Sequence, residues 1–222
     1  MAKIHGVAGE WARVQGTVTG LWPLFIGVFL LGFSFALAVF VSFGWGAIFV
    51  VLSMIEICLT LAYGLRRVER YFKGARGEER VAGILRRLPS DYHVFNDYVV
   101  GRCHVDHVVV GPPGVFAVET KNWTGKVTVE EGRILIDGIL PSRPPLAQVV
   151  REAELVRTSL AAKGWTGTVT PVLAFSSDNF LAHIAEVGSA VIVNANELEE
   201  RFNSGREILA PSERTRLVGL ME

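Results

Sequence analysis

The chain has 222 residues, half of them hydrophobic, and carries 22 Lys+Arg against 22 Asp+Glu for a formal net charge of zero. A neutral chain offers no global basic field to nucleic acid. Its two cysteines, Cys58 and Cys103, exclude a Cys-rich zinc site and argue against an internal disulfide, which suits a reducing compartment.

From Leu21 to Leu65 the only charged residue is Glu56. A bilayer core about 30 Å thick calls for roughly 20 apolar residues per helix. Leu21–Val41 and Ala47–Leu65 each supply such a length, and Ser42, Phe43, Gly44, Trp45 and Gly46 offer a turn between them, so a two-helix membrane hairpin is expected. A cleaved signal peptide would have a shorter apolar core and no second span. Lys3 and Arg13 precede the first span, the turn is uncharged, and Arg66, Arg67, Arg70, Lys73 and Arg76 follow the second. This asymmetry places both termini and the rest of the chain on the cytoplasmic side of a cell membrane. Glu56, with no basic partner in either span, reads as a contact to the other helix or to a second copy of the chain, which would make the hairpin a route to a homo-oligomer.

The expected organisation is an N-terminal segment over 1–20, the hairpin over 21–65, a basic juxtamembrane linker over 66–76 and a soluble domain over 77–222. Of the basic and acidic residues, only Lys3, Arg13, Glu10 and Glu56 precede Arg66, so the remainder is also balanced, 20 against 20. The run GEERVAGILRRL from Gly77 to Leu88 has apolar Val81, Ile84, Leu85 and Leu88 at helical spacing. After Pro89, five strands are expected as a meander: Tyr92–Val100, His104–Val110, Val115–Lys121, Gly125–Glu130 and Arg133–Asp137. An amphipathic helix over Leu146–Lys163, strands at Thr168–Phe175 and Ala190–Val193, a helix from Asn196 to about Phe202 and a C-terminal helix opened by Pro211 complete the chain. The order predicts an α/β fold, a mixed sheet flanked by helices.

The run HVDHVVVGPPGVFAVETK carries the chemistry. If its turn is Gly111–Gly114, paired residues sum to 225 and Asp106 faces Glu119. Alternation along the strands then puts Asp106, Glu119 and Lys121 on one face, about 5 Å apart across the strands. The surrounding positions are apolar, so three charged residues here need a reason. One reason is a structural salt-bridge cluster. The other is a hard divalent cation such as Mg²⁺, which takes oxygen ligands, with the lysine serving an attacking water or the charge on a phosphate.

The runs GARGEERVAGILRRLPSDYHVFNDYVV, VDHVVVGPPGVFAVETKNWTGKV and PPLAQVVREAELV resemble the nuclease-related domain (NERD), a branch of the PD-(D/E)XK nuclease-like superfamily, over about Lys73 to Leu160. Glu119-Thr120-Lys121 is similar to the superfamily's ExK signature and Asp106 to its preceding acid. The resemblance implies a restriction-endonuclease-like fold and metal-dependent phosphodiester hydrolysis of DNA, with RNA as an alternative substrate. It assigns Asp106 and Glu119 to metal, Mg²⁺ or Mn²⁺, with the Thr120 carbonyl as a further ligand, and Lys121 to the water. Glu78 matches the helix-borne acid, with Glu79 as its structural alternative, and Gln148 matches the glutamine that opens the helix after the strands. The superfamily's proline is replaced by Val105, and the neutral domain departs from the basic surface a duplex normally needs, leaving a local patch of Arg102, Lys121, Lys126, Arg133 and Arg143. A binding module that recruits nucleic acid or protein to the membrane without catalysis is the alternative, and an assembly protein with a structural acidic site is a third.

Other chemistry is less well supported. His104 and His107 point to opposite faces of a strand and lack the further ligands of tetrahedral zinc. Cys103 has no activating neighbour, and Trp123 and Trp165 are expected to cover the core.

Overall fold

The computed structural model of the protein describes residues 1–180 and 185–222. They form two compact units, Glu10–Ala75 and Met1–Gly9 with Arg76–Glu222.

The first unit is helical. α1 (Glu10–Phe40) and α2 (Phe43–Leu59) form a hairpin whose turn, Val41-Ser42, is tighter than the Ser42–Gly46 turn expected, and the first helix begins eleven residues earlier, at Glu10 rather than Leu21. α2 runs through one π-helical turn (Thr60–Gly64) into α3 (Leu65–Leu85). Two helices are thus long and apolar enough to cross a membrane, and only 11% of the most apolar window of each is buried within the protein. A core helix would hide those residues; here Phe25, Phe29, Phe35 and Val51 are exposed.

The seam between α1 and α2 is built from small residues, which let helix backbones approach closely. A Cβ on Gly46 would lie 2.4 Å from Ala38 Cβ, and one on Gly27 would lie 2.0 Å from Glu56 Oε2. Glu56 therefore rests against α1. Its Oε1 accepts the Thr60 hydroxyl at 2.8 Å, and Oε2 is buried without a hydrogen-bond partner among the described residues.

The second unit is built on a seven-stranded mixed sheet of β1 (Lys3–His5), β2 (His93–Val100), β3 (Cys103–Gly111), β4 (Gly114–Lys121), β7 (Val169–Phe175), β9 (Ala190–Asn194) and β8 (Ala185–Val187), in that spatial order. β5 (Val127–Glu130) and β6 (Arg133–Ile136) form a two-stranded sheet of their own, touched beyond it by single bridges from Val127 to Phe180 and from Ile136 to Ile139. The five-strand meander is thus corrected: three of its strands stay in the sheet and the last two form a separate ribbon. A local alternating pattern identifies a strand but not the sheet it joins. α4 (Pro145–Ala162) then carries the chain back so that β7 lies parallel to β4.

α3, with Val81, Ile84 and Leu85, and α5 (Leu198–Asn203), with Leu198 and Phe202, pack one apolar layer. α4, with Ala153, Val156 and Leu160, and α6 (Pro211–Met221), with Leu217, Val218 and Met221, pack another. The sheet is covered on both faces, in keeping with parallel strands at its centre.

Strand β1 was not legible in the sequence. Lys3, Ile4 and His5 pair in parallel with His93, Val94 and Phe95, so a segment before the apolar helices shares a sheet with one after them. A hairpin that crosses a membrane between these strands must return to the side it left.

Candidate functional site

The β3–β4 register is the one the Gly-Pro-Pro-Gly turn predicts, with Gly111 opposite Gly114 and His107 opposite Val118. Past His107 and Val118 the ladder stops. There Asp106 Oδ2 accepts the backbone N–H of Thr120 at 2.7 Å, so the aspartate takes the place of a ladder bond. The N–H and C=O of one strand residue face the same side, which turns the Thr120 carbonyl toward the same gap. The Thr120 hydroxyl is buried without a partner among the described residues.

Glu119, 4% exposed, sits at the centre of the site. Its Oε1 accepts from Lys121 Nζ and, at 2.7 Å, from Gln148 Nε2. Lys121 Nζ also donates to Gln148 Oε1 at 3.0 Å. Gln148 comes from the first turn of α4, which Pro145 opens at a position where its missing N–H costs nothing. α3 supplies Glu78, and the backbone N–H of Gly9 hydrogen-bonds its carboxylate. The structure thus brings Glu78, Asp106, Glu119, Thr120, Lys121 and Gln148 to one place, where β3 and β4 separate.

The electrostatics record carboxyls crowded into a buried site. Burial, with Asp97 and Glu119 nearby, pushes the Glu78 carboxyl up to about 7. Burial, with Glu119 and Glu78, pushes Asp106 well above its usual range despite the Thr120 bond. Burial pulls the Lys121 ammonium down, but Glu119, Asp106 and Glu152 outweigh it and its pKa rises. One ammonium does not balance this many carboxylates.

Two participants escaped the sequence reading. Glu152, 3% exposed, accepts from Gln148 Nε2 at 2.9 Å and is pushed to about 8 by burial and then by Glu119. The signal was there, since Gln148 and Glu152 are four apart on one helix and so neighbours on its surface. Asp97 stands in β2 between the Asn96–His107 and Tyr98–Val105 pairs, at the position the ladder skips, with φ of 48°. Its left-handed backbone has no sequence mark beyond Asp's tolerance for it.

His107 is wholly buried, donates from Nδ1 to Asn96 Oδ1 at 2.8 Å, and is held neutral by burial, which lowers its pKa to about 3. Among the described residues no three His, Cys, Asp or Glu side chains form a ready-made metal cluster. Trp165 is 4% exposed and donates to Glu213 at 2.9 Å, and Trp123 packs on Phe175, so both cover core as expected.

All of these site residues except Gly9 lie within residues 73–176, the segment that matches the nuclease-related domain family. The fold and site therefore define a mixed α/β protein whose segment 73–176 is similar to the nuclease-related domain. Over 80 residues the chain is 32% identical to an uncharacterized protein of Bacillus anthracis; the aligned part covers 33% of this chain and 38% of that relative, so the chain spans well under half of the relative's length. No solved structure matches the chain.

Proposed function

We propose that this protein is a membrane-tethered, divalent-metal-dependent nuclease of the PD-(D/E)XK type that hydrolyses DNA phosphodiester bonds. The observation that carries this reading is the Asp106–Thr120 bond, which seats one carboxylate at the mouth of the separated strands beside Glu119 and Lys121. The surplus of carboxylates at raised pKa suits a site completed by a cation. Asp106, Glu119 and the Thr120 carbonyl would hold Mg²⁺, or Mn²⁺, whose chemistry is to neutralise phosphate charge and acidify water. Lys121 has three N–H donors, and its bonds to Glu119 and Gln148 leave the third for an attacking water or a phosphate oxygen. Glu78 would share protons with the site near neutrality.

The two apolar helices would anchor the domain in the cell membrane, with the Arg66–Arg76 basic residues holding it on the cytoplasmic side. The sheet that joins β1 to β2 supports a double crossing. The hairpin's Glu56 is satisfied in part within one chain by Thr60, which favours an anchor over an oligomer interface.

A second reading, a catalytically silent module that brings nucleic acid or a protein to the membrane, draws on the Lys121 ammonium, which already neutralises Glu119 where a cation would sit, and on the neutral domain. Incubating the full chain in lipid nanodiscs with linear duplex DNA, single-stranded DNA and RNA separates the two. Cleavage in Mg²⁺ or Mn²⁺ and none in chelator is the expected result; binding without cleavage under every condition would establish the silent module.

A further inference from the structure

The place of Gln148 in this network depends on how its amide is turned. The oxygen must meet Lys121 Nζ and the nitrogen must meet Glu119, as they do at 3.0 and 2.7 Å. The second N–H of that amide goes to Glu152 Oε1 at 2.9 Å. All the side chain's donors are thus committed, and the two ends of the network lie on different elements: Glu119 and Lys121 on the central strand, Glu152 one turn along α4. Glu152 is 3% exposed and its Oε2 is buried without a hydrogen-bond partner among the described residues. A buried carboxyl so placed on a helix costs free energy, and an apolar residue would fill the site without that cost.

We propose that Glu152 is a positioning residue of this site, holding the Gln148 amide from the helix side and, through it, the Lys121 ammonium. This rests on the nuclease reading for its catalytic consequence but not for its geometry. Glu119 is the residue both Lys121 and Gln148 lean on, and it is also a candidate ligand whose lone pairs a cation would draw away. When that happens, the bonds remaining to Gln148 are those with Lys121 and Glu152. Glu152 then keeps the glutamine, and the lysine that depends on it, where the unliganded site has them. A residue at this position able to accept a hydrogen bond suffices; one that cannot leaves an N–H of Gln148 unpaired and the amide free to swing.

The test uses the full chain in detergent micelles or nanodiscs, with Glu152→Leu and Glu152→Gln. In metal-free protein, the ¹⁵N-labelled Gln148 side-chain NH₂ should give two well-separated, exchange-protected proton signals. Glu152→Leu should collapse them toward solvent-like values, and Glu152→Gln, whose carbonyl still accepts, should keep them. In Mg²⁺, Glu152→Leu should lower kcat roughly 10- to 100-fold, as small misplacements of catalytic groups do, with KM for DNA within about twofold. Glu152→Gln should recover most of the loss. Unchanged Gln148 signals in folded Glu152→Leu would overturn the proposal, as would equal losses in both variants. If the wild type cleaves nothing, the nuclease reading fails, and the metal-free spectra still decide whether Glu152 holds Gln148.

Discussion

Asp97 and Asp106 stand opposite each other at the position where the β2–β3 ladder breaks, between the Asn96–His107 and Tyr98–Val105 pairs. The break frees Asp106 to bond Thr120 on its other side, and the left-handed backbone at Asp97, φ 48°, is where the strand absorbs it. Asp97 also lies close enough to Glu78 to raise its pKa. Asp97→Asn keeps a residue that tolerates this backbone and removes the charge. The expected outcome is a Glu78 carboxyl that titrates at lower pH than in the wild type, read by ¹³C NMR of the side chain. An unmoved titration would show that Asp97 exerts no field on the site.

The raised carboxyls set a pH dependence. Glu78 and Glu152 have folded-state pKa values of about 7 and about 8, above the 4.5 of an unperturbed glutamate. Between 4.5 and those values the folded protein binds more protons than the unfolded chain, so stability falls as pH rises through that window. Metal-free protein should melt at lower temperature at pH 8.5 than at pH 5.5, with a difference on the order of a few kcal/mol. Glu152→Gln should flatten the dependence. Mg²⁺ should stabilise most at the alkaline end, where the carboxylates it needs are ionised without it. A melting temperature that rises with pH in chelator would contradict the assignment.

Residues 1–9 should count toward the stability of the second unit. Replacing Glu10–Ala75 by a flexible Gly-Ser linker keeps β1 beside β2 and the Gly9 N–H on Glu78, whereas a fragment starting at Arg76 loses both. The linked form should be the more stable by roughly 1–3 kcal/mol, the range for several backbone hydrogen bonds and a little apolar burial. Denaturant unfolding of the two proteins measures this, and equal midpoints would show that β1 adds nothing.

Within the hairpin, Gly27 and Glu56 should be coupled. A Cβ at Gly27 would press to 2.0 Å from Glu56 Oε2, so Gly27→Ala should destabilise the detergent-solubilised protein. Adding Glu56→Ala should restore part of the loss, because it removes the nearer of the two side chains the Cβ would meet and leaves the other, Ile57 Cγ1 at 2.6 Å. Purely additive effects in the double-mutant cycle would place Glu56 away from the seam.

How far the sequence carries depends on the range of each interaction. The β3–β4 hairpin was legible because a two-residue turn fixes the register of everything beside it, and Asp106, Glu119 and Lys121 follow from that register. The apolar helices were legible from composition alone, although α1 reaches back to Glu10 because its first turns are polar and carry no hydropathy signal. β1 was invisible, since three residues, Lys3, Ile4 and His5, make no pattern and their partner lies beyond both helices. Glu152 stands one turn from Gln148 on the side of α4 that carries Val149 and Val156, but its charge argues for solvent, and the packing of α4 on the sheet is what shows it buried.

A metal-dependent hydrolytic centre around Asp106 must show itself in cleavage of linear duplex DNA by the full chain in nanodiscs. Wild type and Glu130→Ala, which alters an exposed carboxylate on β5, should cut in Mg²⁺ and stop in chelator. Asp106→Ala should lose about 10²- to 10³-fold of that rate, as removal of a group that stabilises transition-state charge does. Cleavage that persists in Asp106→Ala, or that Glu130→Ala abolishes equally, would rule out a hydrolytic centre at Asp106.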